Sequence, residues 1–373
     1  MIKQRTIAII GAGNSGLAMA AHLLSYGHKV QLWNRSKGSI EKIRKTGLIK
    51  AKGIINGRFR VGLVTTNMRI ALDGVELVMI TTPANSHKEI AERMAKYIKP
   101  NMLVVLNPGR TCGAIEFAKV LKDAGCTAHV EIAETQTIIY TCRKIAQDCV
   151  LILAFKRQVL LCGLDPSHNK SIIQRLPSFL QKYFIAAKSM VETSLGNVGM
   201  ILHCAPMLFN IGWIESPKTE FKYYYEGITP TVAKFLEQLD KERVEVSVKL
   251  GQSVESTASW LRRTYGVKGR NLYECIQSNP AYQSIDAPSS LAHRYITEDV
   301  PCGLVPLEAL GRLLGLPMKT TGLIIDLACK VTGLNYRVSG RNLKNLGLQR
   351  KIATQIKHHL AGKGNNERQF CEK

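Results

Sequence analysis

Short apolar runs alternate with amphipathic stretches along the first half of the chain. The runs are Ile7–Ile10, Val30–Trp33, Leu77–Thr81, Leu103–Leu106, Thr137–Thr141, Val150–Ala154 and Val159–Cys162. Each is too short for a helix and too continuously apolar for a half-exposed strand, the pattern of strands covered on both faces. Between them, Gly16–Leu24, Ser86–Ile98 and Ala114–Ala124 carry helical spacing, and residues 166–186 read as one more helix and strand. Strand and helix in alternation predict an α/β Rossmann-type, doubly wound parallel sheet. From about residue 190 the strand pattern disappears. Thr229–Leu250 reads as a long helix with Val232, Phe235, Leu236 and Leu239 on one stripe, and Leu304–Leu314 and Thr320–Val331 read as two more. The pattern predicts a first domain over 1–188, a mostly α-helical second domain over 189–348, and a basic, loosely packed tail over 349–373.

A length of 373 residues with 45% hydrophobic content suits about two cored domains. No stretch reaches the ~18 uninterrupted apolar residues of a membrane span. The first strand begins almost at once, which leaves no room for a cleavable leader and predicts a cytoplasmic protein without membrane contact. Ten cysteines contain no CxxC pair and no zinc-ligand spacing with histidine, so they read as reduced, buried small side chains, and no metal is expected. The formal charge of +23 raises nucleic acid as a partner. Its basic residues are spread along the whole chain and aromatics are only 6%, so no nucleic-acid partner is expected and the charge reads as solvated surface and as attraction for anionic ligands.

The first strand opens into Gly11-Ala-Gly-Asn-Ser-Gly16 and a helix rich in Ala and Leu that Gly27 stops. In this strand–loop–helix frame, Gly11 allows the turn, Gly13 lets a pyrophosphate approach the backbone, and Gly16 lets helix and strand pack closely. Asn14 and Ser15 complete the cradle at a helix N-terminus, where N–H groups and the helix dipole favour phosphate. An Asp or Glu at the end of the second strand would bond the ribose 2′-hydroxyl of NAD. Here Asn34-Arg35-Ser36 stands there, and no acid appears before Glu41. Arg35 can pair with a phosphate and Ser36 can donate to one, so NADP(H) is favoured over NAD(H). Thr82 and Pro83, at the end of a further strand, and Asn107 and Gly109, in Asn107-Pro-Gly-Arg110, are further cofactor candidates. Plain strand-to-helix turns would also use these residues.

Candidate substrate residues lie further on. Tyr140 and Arg143 flank a strand end, where ligands of open α/β sheets bind. Asn197 and His203 share an apolar, helix-like segment, and His293-Arg294-Tyr-Ile-Thr-Glu-Asp299 precedes a proline-marked turn. A reaction that moves a proton as hydride arrives calls for a histidine near neutral pH and a carboxylate to orient its ring. His203 and Asp299 suit those catalytic roles, and Arg294 suits a substrate carboxylate. A core histidine with no chemistry fits the same letters, and spacing alone does not bring these residues together.

These residues resemble the opine dehydrogenases, the octopine and nopaline dehydrogenase group. The resemblance runs from Thr6 to about Leu348. It rests on the glycine loop, Asn107-Pro-Gly-Arg110-Thr-Cys-Gly113, Asn197 to His203 and Asn210, Leu239-Asp-Lys-Glu-Arg243, Arg294-Tyr-Ile-Thr-Glu-Asp299-Val-Pro-Cys-Gly-Leu-Val-Pro and Gly340-Arg341-Asn-Leu-Lys-Asn-Leu-Gly347. It implies NAD(P)H-dependent reductive condensation of an amino acid with an α-keto acid, commonly pyruvate, through an imine. It implies a His/Asp pair at His203 and Asp299 and a carboxylate-binding Arg294, and a homodimer is expected. Cys204 departs from the proline often found after the histidine, which predicts a small shift of the histidine helix. Two other readings stay open. One is a dehydrogenase of the glycerol-3-phosphate or ketopantoate type, which would need a lysine that Asn197–Asn210 lacks. The other is a non-enzymatic NADP-binding sensor.

Overall fold

A computed structural model describes residues 4–351 and 353–362. The chain divides into two compact units between Thr193 and Ser194, a few residues beyond the expected boundary. The first unit contains every strand among the described residues: β1 Thr6–Ile10, β2 Lys29–Trp33, β3 Leu48–Gly53, β4 Gly57–Arg60, β5 Leu63–Thr65, β6 Leu77–Ile80, β7 Leu103–Leu106, β8 Glu131–Thr135, β9 Tyr140–Ala146, β10 Cys149–Phe155, β11 Val159–Gly163 and β12 Phe184–Ala186.

The main sheet has the order β12-β11-β8-β7-β6-β1-β2-β5. From β8 to β5 neighbouring strands run parallel, and the continuous apolar runs predict β7, β6, β1 and β2 among them. At the other edge β11 turns antiparallel to β8, and β12 follows it. The expected single sheet is incomplete in one respect: a second sheet, β4-β3-β10-β9, stands apart from the first. The run expected at Val150–Ala154 belongs to this second sheet. The strand expected at Thr137–Thr141 falls mostly in the connection between β8, which ends at Thr135, and β9, which begins at Tyr140. Ile139 there is buried in a connection, and its apolarity reflects packing rather than pairing. β3, β4 and β5 escape the pattern because their residues alternate with lysine and arginine or are half-exposed.

Helix α1 (Asn14–Ser25) lies against β1 and β2 on one side and β3, β9 and β10 on the other. That sandwich explains why Leu17, Ala18, Met19, Ala20, Ala21 and Leu23 are all fully buried: a helix covered on two faces has no polar stripe. The small alanines let two sheets close on one helix. Helices α2 (His87–Met94) and α3 (Gly113–Asp123) pack against each other.

The second unit is helical. Helices α4 (Gly199–Phe209), α5 (Pro230–Lys249), α6 (Arg294–Thr297), α7 (Val305–Leu313), α8 (Lys319–Thr332) and α9 (Ala353–Leu360) are its main elements. α5 opens with Thr229, which accepts from the Val232 N–H, and with Pro230 in the first turn. It packs against α4, α7 and α8. Part of the tail expected to be loose is α9, with Ile356 and Leu360 buried one turn apart. The rest of that tail, 363–373, lies outside the described residues. No helix among the described residues is long and apolar enough to cross a membrane. The nine described cysteines are free, and burial pushes the Cys162 thiol up to about 12, so it stays protonated.

Candidate active site

The glycine loop is the candidate cofactor site of the first unit. Gly11 has φ +112°, a value that disfavours any side chain, and a Cβ there would lie 2.9 Å from Thr82 Cγ2. A Cβ on Gly16 would fall 1.8 Å from the Gly11 carbonyl oxygen, inside covalent overlap. A Cβ on Gly13 would meet nothing within 4 Å. The first and third glycines are therefore required by the fold, and only the second faces open space. The first turn of α1, with Asn14 and Ser15, holds no acidic residue, and no side chain caps it. Thr82 Oγ1 and Asn107 Oδ1, past the ends of β6 and β7, are buried with no hydrogen-bond partner among the described residues. An open glycine, an uncapped helix start and two orphaned oxygens fit a dinucleotide at this edge. Pro83 is exposed and ends the β6 segment.

Several cofactor candidates turn out to serve the protein itself. Asn34 Oδ1 accepts from the Ala12 N–H at 3.1 Å and so holds the loop. Asn14 Oδ1 accepts from the Lys144 N–H at 2.9 Å. Gly109 is buried, donates to the Thr135 carbonyl, and would drive a Cβ to 2.5 Å from Glu134, so that glycine answers to packing and offers no ligand surface. Arg35 and Ser36 are exposed. Arg35 Nη1 lies 2.6 Å from Glu89 on α2, an acid that no local reading places near the end of β2.

Strand alternation separates the two substrate candidates on β9, and Tyr140 is the one it corrects. Tyr140 is 2% exposed, its hydroxyl 3.1 Å from His22 Nδ1 and donating to Met19 Sδ, within an aromatic cluster with Phe155. It is a core residue. Arg143 is exposed on the strand that carries Tyr140, Cys142 and Lys144 at alternate positions and points away from their side.

In the helical unit, the residues picked out 96 positions apart do meet. His203 on α4 and Asp299 just after α6 are joined by a bond of 2.8 Å between Nδ1 and Oδ2, and Asp299 is fully buried. Tyr295 stacks on the His203 ring at 3.8 Å between centroids and 13° between planes, and Tyr223 donates to the His203 carbonyl at 2.6 Å. Neither tyrosine stood out in the sequence, although Tyr295 sits next to Arg294. A close approach holds the pair: a Cβ on Gly303 would come within 2.9 Å of Met200 Cβ on α4. The Arg341 N–H braces the same turn by donating to the Pro301 carbonyl at 2.9 Å. Arg294 is half-exposed, near Glu298 at 3.9 Å and over the Tyr295 ring at 5.8 Å. His293 caps α6, and burial, with the positive charge of Arg294 next, pushes it down to about 4, so it stays neutral. Asn197 accepts from the Gly199 N–H at the start of α4 and is mostly buried. The Cys204 thiol donates to the Tyr295 carbonyl at 3.4 Å, a bond that proline could not make.

Residues 186–332 match the family model for the α-helical domain of NAD/NADP octopine/nopaline dehydrogenase, and residues 7–109 match that of ketopantoate reductase PanE/ApbA. An opine dehydrogenase of Arthrobacter sp. (strain 1C) is 36% identical over 358 residues, 96% of this chain and 99% of that protein. The chain belongs to the opine dehydrogenase family. An octopine dehydrogenase solved with NADH and agmatine shares the fold, with a TM-score of 0.76 at 18% identity over 96% of this chain and 98% of that one. So does an NADP+-bound yersinopine dehydrogenase, at 0.76 and 14% identity over 92% and 97%.

The opine dehydrogenase motifs divide by role. Leu239-Asp-Lys-Glu-Arg243 is a staple: Arg243 is fully buried, its Nε donates to Asp240 Oδ1 at 2.9 Å, and Glu242 accepts from the Thr320 and Thr321 N–H groups at the start of α8. Gly340-Arg341 packs the Asp299 turn. The motif from Arg294 to Asp299 carries the carboxylate bonded to His203.

Proposed function

We propose that this opine dehydrogenase family member condenses an L-amino acid with an α-keto acid, pyruvate in the first instance, and reduces the resulting imine with NADPH in preference to NADH. The observation that carries the reading is the 2.8 Å bond between His203 and a fully buried Asp299. It orients the imidazole with its Nδ1 proton on the carboxylate, which makes Nε2 the nitrogen that exchanges protons. In the oxidative direction His203 accepts a proton from the secondary amine or from the attacking water. In the reductive direction it returns one. Asp299 is a positioning residue that stabilises the imidazolium, and Tyr295 fixes the plane of the ring. Arg294, with an accessible guanidinium, neutralises a substrate carboxylate. When bound, a nicotinamide dinucleotide supplies or accepts the hydride.

Arg35 and Ser36 support the NADP preference. Both are exposed, no acid stands on their own strand, and a 2′-phosphate can take over the Arg35 guanidinium from Glu89. A screen of NADPH and NADH oxidation with pyruvate and other keto acids against the amino acids tests the reaction. In the same assay Arg35→Ala is expected to raise the KM for NADPH roughly tenfold, the cost of one charge-assisted bond, and to leave that for NADH within about twofold. Equal effects on the two cofactors overturn the NADP assignment.

A further inference from the structure

Lys144 differs from the cations of the first unit that pair with carboxylates. Lys42 and Lys50 pair with Asp148, and Arg175 pairs with Glu131. Lys144 Nζ instead donates to two carbonyls, Ala12 at 3.0 Å and Ser39 at 3.4 Å. No carboxylate among the described residues lies within 4.0 Å of it. Its backbone is tied to the same place, since its N–H donates to Asn14 Oδ1.

The second sheet puts it there. On β9, Tyr140, Cys142 and Lys144 alternate onto one side, where Tyr140 meets His22 and Met19 of α1. Two residues further along from Cys142, the Lys144 side chain reaches the start of α1. Ala12 lies between the first two glycines of the loop, and Ser39 lies in the turn that follows Arg35-Ser36. In a nucleotide-binding βαβ unit these two segments attend the pyrophosphate and the adenosine ribose. An ammonium here is partly desolvated, and burial lowers its affinity for a proton. It also stands near the positive end of a helix. Carbonyl dipoles answer its charge only in part, so the site is electrostatically incomplete without an anion.

We propose that Lys144 is a cofactor-binding residue whose ammonium pairs with a phosphate group of the bound dinucleotide. The inference rests on the dinucleotide reading of the glycine loop and adds to it a residue from a separate sheet. Two phosphates share this chemistry: the pyrophosphate, present in both cofactors, and the adenosine 2′-phosphate, present only in NADPH.

The test is equilibrium binding of NADPH and of NADH to the full-length protein, read by nucleotide fluorescence, for the unmodified chain, Lys144→Gln and Lys144→Arg. Glutamine retains a donor for the Ala12 carbonyl and loses the charge, and unchanged melting temperatures show that the fold is intact. Lys144→Gln is expected to raise the Kd roughly tenfold or more, the effect of losing one charge-assisted hydrogen bond, and Lys144→Arg to restore most of the affinity. A rise for NADPH alone assigns the 2′-phosphate, and equal rises for both assign the pyrophosphate. Kd values within about twofold of the unmodified chain for both cofactors overturn the proposal. If the unmodified chain binds neither nucleotide, the dinucleotide reading itself fails and Lys144 falls with it.

Discussion

Asp299→Asn separates the charge of the His203 partner from its shape. Asparagine is nearly isosteric and can still meet Nδ1 across the 2.8 Å contact, so the change removes the negative charge while the packing beneath Tyr295 stays. The magnitude follows from burial. Asp299 is fully buried and the His203 side chain is 11% exposed, so water screens the pair weakly. At an effective dielectric of about 20, unit charges about 4 Å apart interact by about 4 kcal/mol. That energy acts only when the imidazole is protonated, and it is therefore withdrawn from the step in which His203 holds the proton. At 1.36 kcal/mol per decade, kcat should fall by about 10²- to 10³-fold. The assay is steady-state oxidation of NADPH with saturating keto acid and amino acid, with cofactor Kd measured separately and expected to be unchanged. A double-mutant cycle sharpens it: on a His203→Ala background, Asp299→Asn should cost almost nothing more, because Asp299 acts through the ring. A kcat within threefold of the unmodified enzyme refutes the charge argument. A further large loss on the His203→Ala background shows that Asp299 acts elsewhere.

Two stability predictions follow from the same kind of accounting. Burial, and secondarily the charge of Lys182, pushes His22 down to about 4 from 6.5, so between those values the unfolded chain binds a proton that the folded protein does not. Stability should therefore drop as pH falls from 6.5 toward 4, by up to about 3 kcal/mol, with no contribution above 6.5. Urea unfolding at several pH values should show a shallower decline for His22→Gln, and parallel declines would exclude His22 as the source. Asp240→Ala leaves the buried Arg243 without its carboxylate and removes the acceptor of the Thr257 N–H and hydroxyl, which should cost about 3–5 kcal/mol. A measured loss below 1 kcal/mol would mean that the Leu195 and Glu255 carbonyls suffice for that guanidinium.

What the sequence determined by itself is whatever neighbours along the chain decide. The parallel strands β1, β2, β6 and β7 were legible because strands buried on both faces must be continuously apolar. The glycine loop was legible because its geometry is local: Gly16 has no room for a Cβ beside the Gly11 carbonyl, whatever the rest of the chain does. The long helix over 230–249 was legible from its stripe and its Thr-Pro start. The choice of His203 and Asp299 came from chemical type and family resemblance, and their meeting was beyond any local rule. It depends on Gly303 reaching Met200 and on Arg341 bracing Pro301, contacts between segments distant in the chain. Tertiary structure alone also decided that Glu89 faces Arg35, that Tyr295 covers the histidine ring, and that Gly109 and Tyr140 belong to packing. The second sheet is the clearest case. Its strands β3, β4 and β9 mix apolar with basic residues because only one face meets α1, so they are weak as sequence signals, and only β10 stands out as an apolar run. Yet that one covered face carries Tyr140 into the core and Lys144 to the loop, and no reading of residues 140–146 in isolation distinguishes the two.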